Sequence, residues 1–310
     1  MPEGYWVVRT YEAGNIGEKT KFWVPGRRPE KQTRREKAEL KKQEQNEHAA
    51  EKQLARLIND NFGPGDLLMG LDYSEEGMKR ITARAEQNPN QKEEPWEDII
   101  REAAEQEARL LLRRVKRELE KQGIALKYIV ITSDMDGDTG EAVRVHHHLI
   151  VPAGVQEIFA EKWAPMGGVN WEKMSDQQDY TPIAAYFIRQ VRRIPDAKKY
   201  ISSRNLSRPR PKDRVALTEA ELRVPRGGEL LHRSEFKPGR PQYIRYVLPE
   251  GKRRRKAAGN TGEKVDGSKH AHCGIVCSRN NNCGQRGGAA DGQTEEIYLS
   301  DTGKGGEKIF

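Results

Sequence analysis

The sequence predicts an α+β fold in which helices pack on an antiparallel central sheet. An N-terminal hairpin and a charged helix precede this core, and a basic accessory segment and a disordered tail follow it. Three observations carry the prediction. Residues 96–122 repeat apolar side chains at helical spacing (Ile99, Ile100, Ala103, Ala108, Leu111, Leu112, Val115, Leu119), which is one face of a core helix. After Gly123, two β-like runs at 126–132 and 144–151 flank the turn-rich SDMDGDTGEA, the pattern of an antiparallel hairpin with a long loop. The order strand, helix, hairpin, helix then describes a sheet with helices laid on it.

Taken in order, YWVVRTY and TKFWV are joined by AGNIGE and closed by Pro25-Gly26, which suggests the first hairpin. Residues 31–59 contain no Gly or Pro, and their apolar positions cluster late, at Leu54, Leu57 and Ile58. This is a mostly solvated helix, and a charged face accounts for it better than a dedicated DNA-binding arm. Gly63-Pro64-Gly65 marks a boundary, and DLLMGLDY at 66–73 reads as a buried strand that opens the main domain. Ser74 supplies an N-cap for the next helix, and 88–95 is a polar loop. Beyond Pro152 come a helix at 156–163, a Gly-containing loop, and a helix at 183–193 that Thr181 would cap with Pro182 at its first position. On that helix Ile183, Phe187 and Val191 form one row, and Tyr186 neighbours Arg189. Farther on, GELLHRSEF and PQYIRYVL form a small accessory sheet. The domains expected are 1–60, 61–205, 206–256 and a disordered tail at 257–310.

Charge narrows the function. The chain nets +8, and residues 189–214 hold ten Lys/Arg against Asp196 and Asp213, so an anionic partner is expected. Arg144, Arg192, Arg193, Lys198, Lys199 and Arg204 are candidate DNA-binding residues through backbone phosphates. Tyr200 is a candidate for stacking on bases. No apolar run reaches the roughly 18 residues of a membrane span, and the N-terminus lacks a secretory layout, so a cytoplasmic protein with no membrane partner is expected. Cys273, Cys277 and Cys283, with His270, fit no standard paired zinc spacing.

The chemistry centres on RVHHHLIV. Side chains alternate on a strand, so Arg144, His146, His148 and Ile150 share one face while Val145, His147, Leu149 and Val151 look into core. Two imidazoles two residues apart can converge on one metal ion, which would stabilise charge on a phosphoryl oxygen. A tyrosine on the helix that opens the most basic region is either a half-buried helix residue or a nucleophile. As nucleophile, Tyr186 would join DNA through a phosphotyrosine and free a 3′-hydroxyl, and Arg189 would steady the phosphate.

In order, LLMGLDY (67–73), His146-His147-His148 and AAYFIR (184–189) resemble the three motifs of the HUH endonucleases of the rolling-circle replication-initiator type. Within that superfamily they resemble the domain shared by the filamentous-phage gene II protein and microvirus replication proteins. The resemblance covers roughly residues 60–205. It implies a replication-associated enzyme that nicks single-stranded DNA at a replication origin with Mg²⁺ or Mn²⁺. His146 and His148 would be metal ligands, Asp134 or Asp136 would supply a third, and Tyr186 would be the nucleophile. Histidine stands where the family has a bulky apolar residue between the ligands. Gln190 stands where many members have a second tyrosine, which implies a single-tyrosine enzyme. Host helicase and polymerase would be its partners. The alternatives are a relaxase or single-strand transposase of the same superfamily, with Tyr180 as another candidate nucleophile, and a non-enzymatic basic DNA-binding protein with structural histidines.

Overall fold

The computed structural model describes residues 4–26, 35–88, 94–192, 194 and 197–253, without the side chains of 35–45. All of these lie in one unit, Met1–Lys256. The Cys/His-bearing tail, Arg193 and the end of the KRRRK cluster lie outside the described residues, as does the expected disorder of 257–310.

In chain order the elements are β1 (Gly4–Ala13), β2 (Ile16–Pro25), α1 (Arg35–Asn61), β3 (Leu67–Tyr73), α2 (Glu75–Glu86), α3 (Trp96–Lys121), β4 (Ile129–Met135), β5 (Ala142–Val151), α4 (Gln156–Trp163), β6 (Gly167–Lys173), α5 (Thr181–Arg189), β7 (Ile201–Ser202), β8 (Lys212–Ala216), β9 (Glu229–Arg233) and β10 (Gln242–Val247). They build an α+β protein with two five-stranded antiparallel sheets, ordered β8-β1-β2-β10-β9 and β6-β3-β5-β4-β7.

The second sheet is a layer between two cores. Leu67, Met69, Leu71 and Tyr73 of β3 and Val145, Leu149 and Val151 of β5 face α2, α3 and α4. Ile129 and Ile131 of β4 and Ile150 of β5 instead meet Leu54, Leu57 and Ile58 of α1 and Ala184, Phe187 and Ile188 of α5. The alternation read from β5 therefore becomes a division between cores, with His147 on the α3 side and His146 and His148 on the α1/α5 side. The late clustering of apolar residues in α1 fits this division, because Leu54, Leu57 and Ile58 of its last turns pack into this core.

Several expectations need correction. The N-terminal hairpin does not stand apart: β2 pairs with β10 and β1 with β8, so residues from both ends of the unit close one sheet. Residues 167–173, read as part of a loop, form edge strand β6, whose exposed side chains give little apolar alternation to detect. The strand before the histidines starts at Ile129 rather than 126. Thr181 does not cap α5. It is the first helical residue, and its N–H and hydroxyl both bond the Asp179 carboxylate. The helix also stops at Arg189 rather than 193, because the Gln190 carbonyl is taken by the N–H groups of Asp134 and Met135, both at 3.2 Å. That closure ties the end of α5 to β4.

Candidate active site

Strand β5 delivers two imidazoles to one point. The Nε2 atoms of His146 and His148 lie 3.0 Å apart, with the rings 4.8 Å apart at 83°. The Nδ1 atom of His146 is 3.0 Å from the Arg144 carbonyl. A carbonyl only accepts, so Nδ1 carries a proton, and in the neutral ring Nε2 presents its lone pair toward His148. Two nitrogens each about 2.1 Å from a metal and at right angles to one another are about 3.0 Å apart, so a separation that is also that of a hydrogen bond would suit the pair as a two-pronged clasp for a divalent cation.

Helix α5 closes over this clasp. The Phe187 ring stacks on His148 at 5.2 Å and 29°, and the Tyr186 ring meets it edge-on at 6.4 Å and 65°. Gln190, buried at the helix end, accepts a hydrogen bond from Ser133 Oγ at 3.3 Å, and Ser133 is the cross-strand neighbour of His146. Burial, and then the neighbouring His146, drive the His148 pKa down to about 3, against a hydrogen bond with Gln190 that pulls it up. His148 is therefore neutral near pH 7, the state a metal ligand needs.

His147 points the other way and is fully buried. Its Nε2 is 2.8 Å from the Tyr73 hydroxyl and its Nδ1 is 3.1 Å from Thr132 Oγ1, so both ring nitrogens are satisfied within the α3-side core. Burial, followed by the three nearby basic groups His146, His148 and Arg101, lowers its pKa from 6.5 to about 3. The unfolded chain thus binds a proton between these values that the fold does not. Stability from this group is unchanged above pH 6.5 and falls on acidification, by up to about 1.4 kcal/mol per pH unit. Urea midpoints at pH 7 and pH 5 are expected to separate for the wild type and to lie closer together for His147→Leu. Equal separations in the two proteins would contradict this.

The expected third ligand is not brought to the pair. Both Asp134 oxygens are taken by Arg192, through its backbone N–H and its Nε, each at 3.1 Å. Asp136 accepts the N–H groups of Asp138 and Thr139 in the β4–β5 turn, which hold its pKa low. Among the described residues no three His, Cys, Asp or Glu side chains are grouped to hold a metal.

A carboxylate missed in the sequence does share the sheet face. Gly70 pairs with His148 across β3 and β5, and Asp72, two residues on, therefore projects from the same side as the histidine pair. Asn170 of β6 pairs with Gly70 and donates to Asp72 Oδ2 at 3.2 Å. A Cβ at Gly70 would collide with the Asn170 amide, so the absent side chain leaves room for that amide beside His148. The signal was parity: within LLMGLDY, Leu68, Gly70 and Asp72 alternate with the buried set.

The remaining candidates disperse. Tyr180 is buried and its hydroxyl donates to the Ser175 carbonyl at 2.9 Å. Arg189 is exposed at the end of α5. Arg144 donates to the Ser74 carbonyl at 2.8 Å, and Lys199 Nζ donates to the Arg192 carbonyl at 2.8 Å. Arg192 is committed to Asp134, whereas Lys198 and Arg204 are exposed.

The fold and site define an α+β protein whose central antiparallel sheet sets a His-x-His pair beneath a tyrosine-bearing helix. No family model, curated protein or solved structure matches the chain. No helix among the described residues is long and apolar enough to cross a membrane.

Proposed function

We propose that the protein nicks single-stranded DNA through Tyr186 in the manner of an HUH-type replication initiator, starting rolling-circle replication at an origin. The observation that carries the reading is the meeting of Tyr186 with the clasp: its ring lies 6.4 Å from His148, whose Nε2 is 3.0 Å from that of His146. The imidazole pair fits a divalent cation by its spacing, by the tautomer fixed on His146 and by the neutrality of His148. His146 and His148 would hold Mg²⁺ or Mn²⁺, with water and a phosphate oxygen completing the shell and Asp72 offering a carboxylate on the same face. The metal, when bound, supplies Lewis-acid stabilisation of charge on the phosphoryl group.

The chain's own residues would do the rest. The Tyr186 hydroxyl loses its proton to solvent and its oxygen bonds to phosphorus, while the bond from phosphorus to the 3′ oxygen breaks. That oxygen takes up a proton and leaves as a 3′-hydroxyl, and the 5′ side remains as a phosphotyrosine. One phosphodiester replaces another, so the energy for rejoining is retained. Arg189, exposed one turn beyond the tyrosine, is available to the phosphate. The test is incubation with labelled single-stranded DNA and Mg²⁺ or Mn²⁺, followed by a denaturing gel. A covalent protein–DNA adduct is expected, and its absence over many sequences with both metals would favour a basic DNA-binding protein with structural histidines.

A further inference from the structure

We infer that the groove between α1 and residues 197–208 is a second binding site, one that holds an unpaired stretch of single-stranded DNA away from the nucleophile. This rests on the reading that the substrate is single-stranded DNA. The groove encloses about 860 Å³, within the roughly 300–1,000 Å³ of pockets that enclose small ligands. Among the described residues, five cations line it (Arg109, Lys198, Lys199, Arg204 and Arg208) against one carboxylate, Glu47.

Two of these cations are placed for an external anion. Lys198 and Arg204 are exposed, and neither forms an ion pair or hydrogen bond among the described residues. Among the described residues Arg208 hydrogen-bonds to the neutral Ser202 hydroxyl, at 3.1 Å, and to no carboxylate. Phosphates would satisfy all three without displacing a carboxylate. The same wall carries Tyr128 and Tyr200, both half-buried, with Tyr200 anchored against the α1/α5 core and lying near Arg208. Tyrosine rings held by a core and set among cations are what a base can stack on, and a paired base could not reach them without leaving its duplex.

The groove is tied to the active site. Lys199 holds the Arg192 carbonyl, Arg192 holds Asp134, and Asp134 follows Ser133, the cross-strand neighbour of His146. A strand gripped here would be fixed relative to Tyr186, so the groove would select where along the DNA the nick falls.

The test uses the full chain carrying Tyr186→Phe, which binds without forming an adduct. Oligonucleotides bearing single 5-iodouracil substitutions are photo-cross-linked and mapped, and binding is followed by anisotropy against salt. Cross-links at Tyr200 or Tyr128 are expected. Adding Lys198→Ala, Arg204→Ala and Arg208→Ala should weaken binding at least tenfold and flatten the slope of log affinity against log salt by about 2. An unchanged urea midpoint would separate this from unfolding. Cross-links confined to other residues, or unchanged affinity and slope in the triple variant, would overturn the inference. The adduct assay on the wild type is independent: groove cross-links without an adduct would remove the nicking reading and leave the groove, and an adduct without groove cross-links would do the reverse.

Discussion

Tyr186→Phe is expected to eliminate the protein–DNA adduct, lowering nicking on the order of 10³-fold or more, while the protein stays folded and still binds single-stranded DNA. The substitution removes one oxygen, the one proposed to bond to phosphorus, and leaves the ring that meets His148 edge-on. A nucleophile has no partial substitute, so its loss is far larger than that of a positioning contact. The stability change should stay within about 1 kcal/mol, the scale of one hydrogen bond at a half-buried position. The informative control is Tyr180→Phe. That hydroxyl is spent on the Ser175 carbonyl inside the core, so this variant should lose some stability and keep the adduct. A denaturing gel with both variants decides the matter, and an adduct that survives Tyr186→Phe would remove the proposed nucleophile.

What could be read in advance was whatever depends on a local period. The face of α3, the Ser74 cap that accepts from Gly77 N–H at 3.0 Å, and the split of β5 into two sides all follow from spacing within a dozen residues. Ile150 and Leu149 lie in different cores because neighbouring strand residues must point apart. What could not be read depends on partners distant in sequence. Nothing local says that Lys21 and Gln242 pair across one sheet, or that Lys21 ends buried with its amine on the Ala220 carbonyl at 2.7 Å.

The site divides in the same way. The pairing of His146 with His148 is a matter of parity within one strand. The fate of Asp134 depends on Arg192, which arrives from beyond α5, and a carboxylate with a nearby guanidinium is held by it instead of waiting for a metal. Gln190 was legible only as a missing tyrosine. Its bonds to Ser133 and His148 exist because the end of α5 docks on β4 and the turn that follows it, where its Cγ lies 3.1 Å from the position a Cβ on Gly137 would take.

The second large effect concerns the proposed metal clasp. His146→Ala and His148→Ala are each expected to abolish Mn²⁺ binding measured by electron paramagnetic resonance, and to reduce adduct formation to the level of wild type in a chelator. Adding Mg²⁺ or Mn²⁺ back should restore the wild type alone. Each variant removes one of only two nitrogens set 3.0 Å apart, and among the described residues no grouped third ligand can take its place. His147→Leu is the contrast. That side chain serves Tyr73 and Thr132 on the opposite face, so its loss should cost stability and leave Mn²⁺ binding in the folded protein. Gln190→Leu falls between them, because it frees His148 to turn without removing the ligand; a 10- to 100-fold loss of metal affinity is the usual scale for such a supporting bond. If Mn²⁺ bound equally well to the wild type and to both alanine variants, the clasp would be a hydrogen-bonded histidine pair and nothing more. The adduct, if it still formed, would then need another source of charge stabilisation, for which Arg189 at the end of α5 is the exposed cation next to the tyrosine.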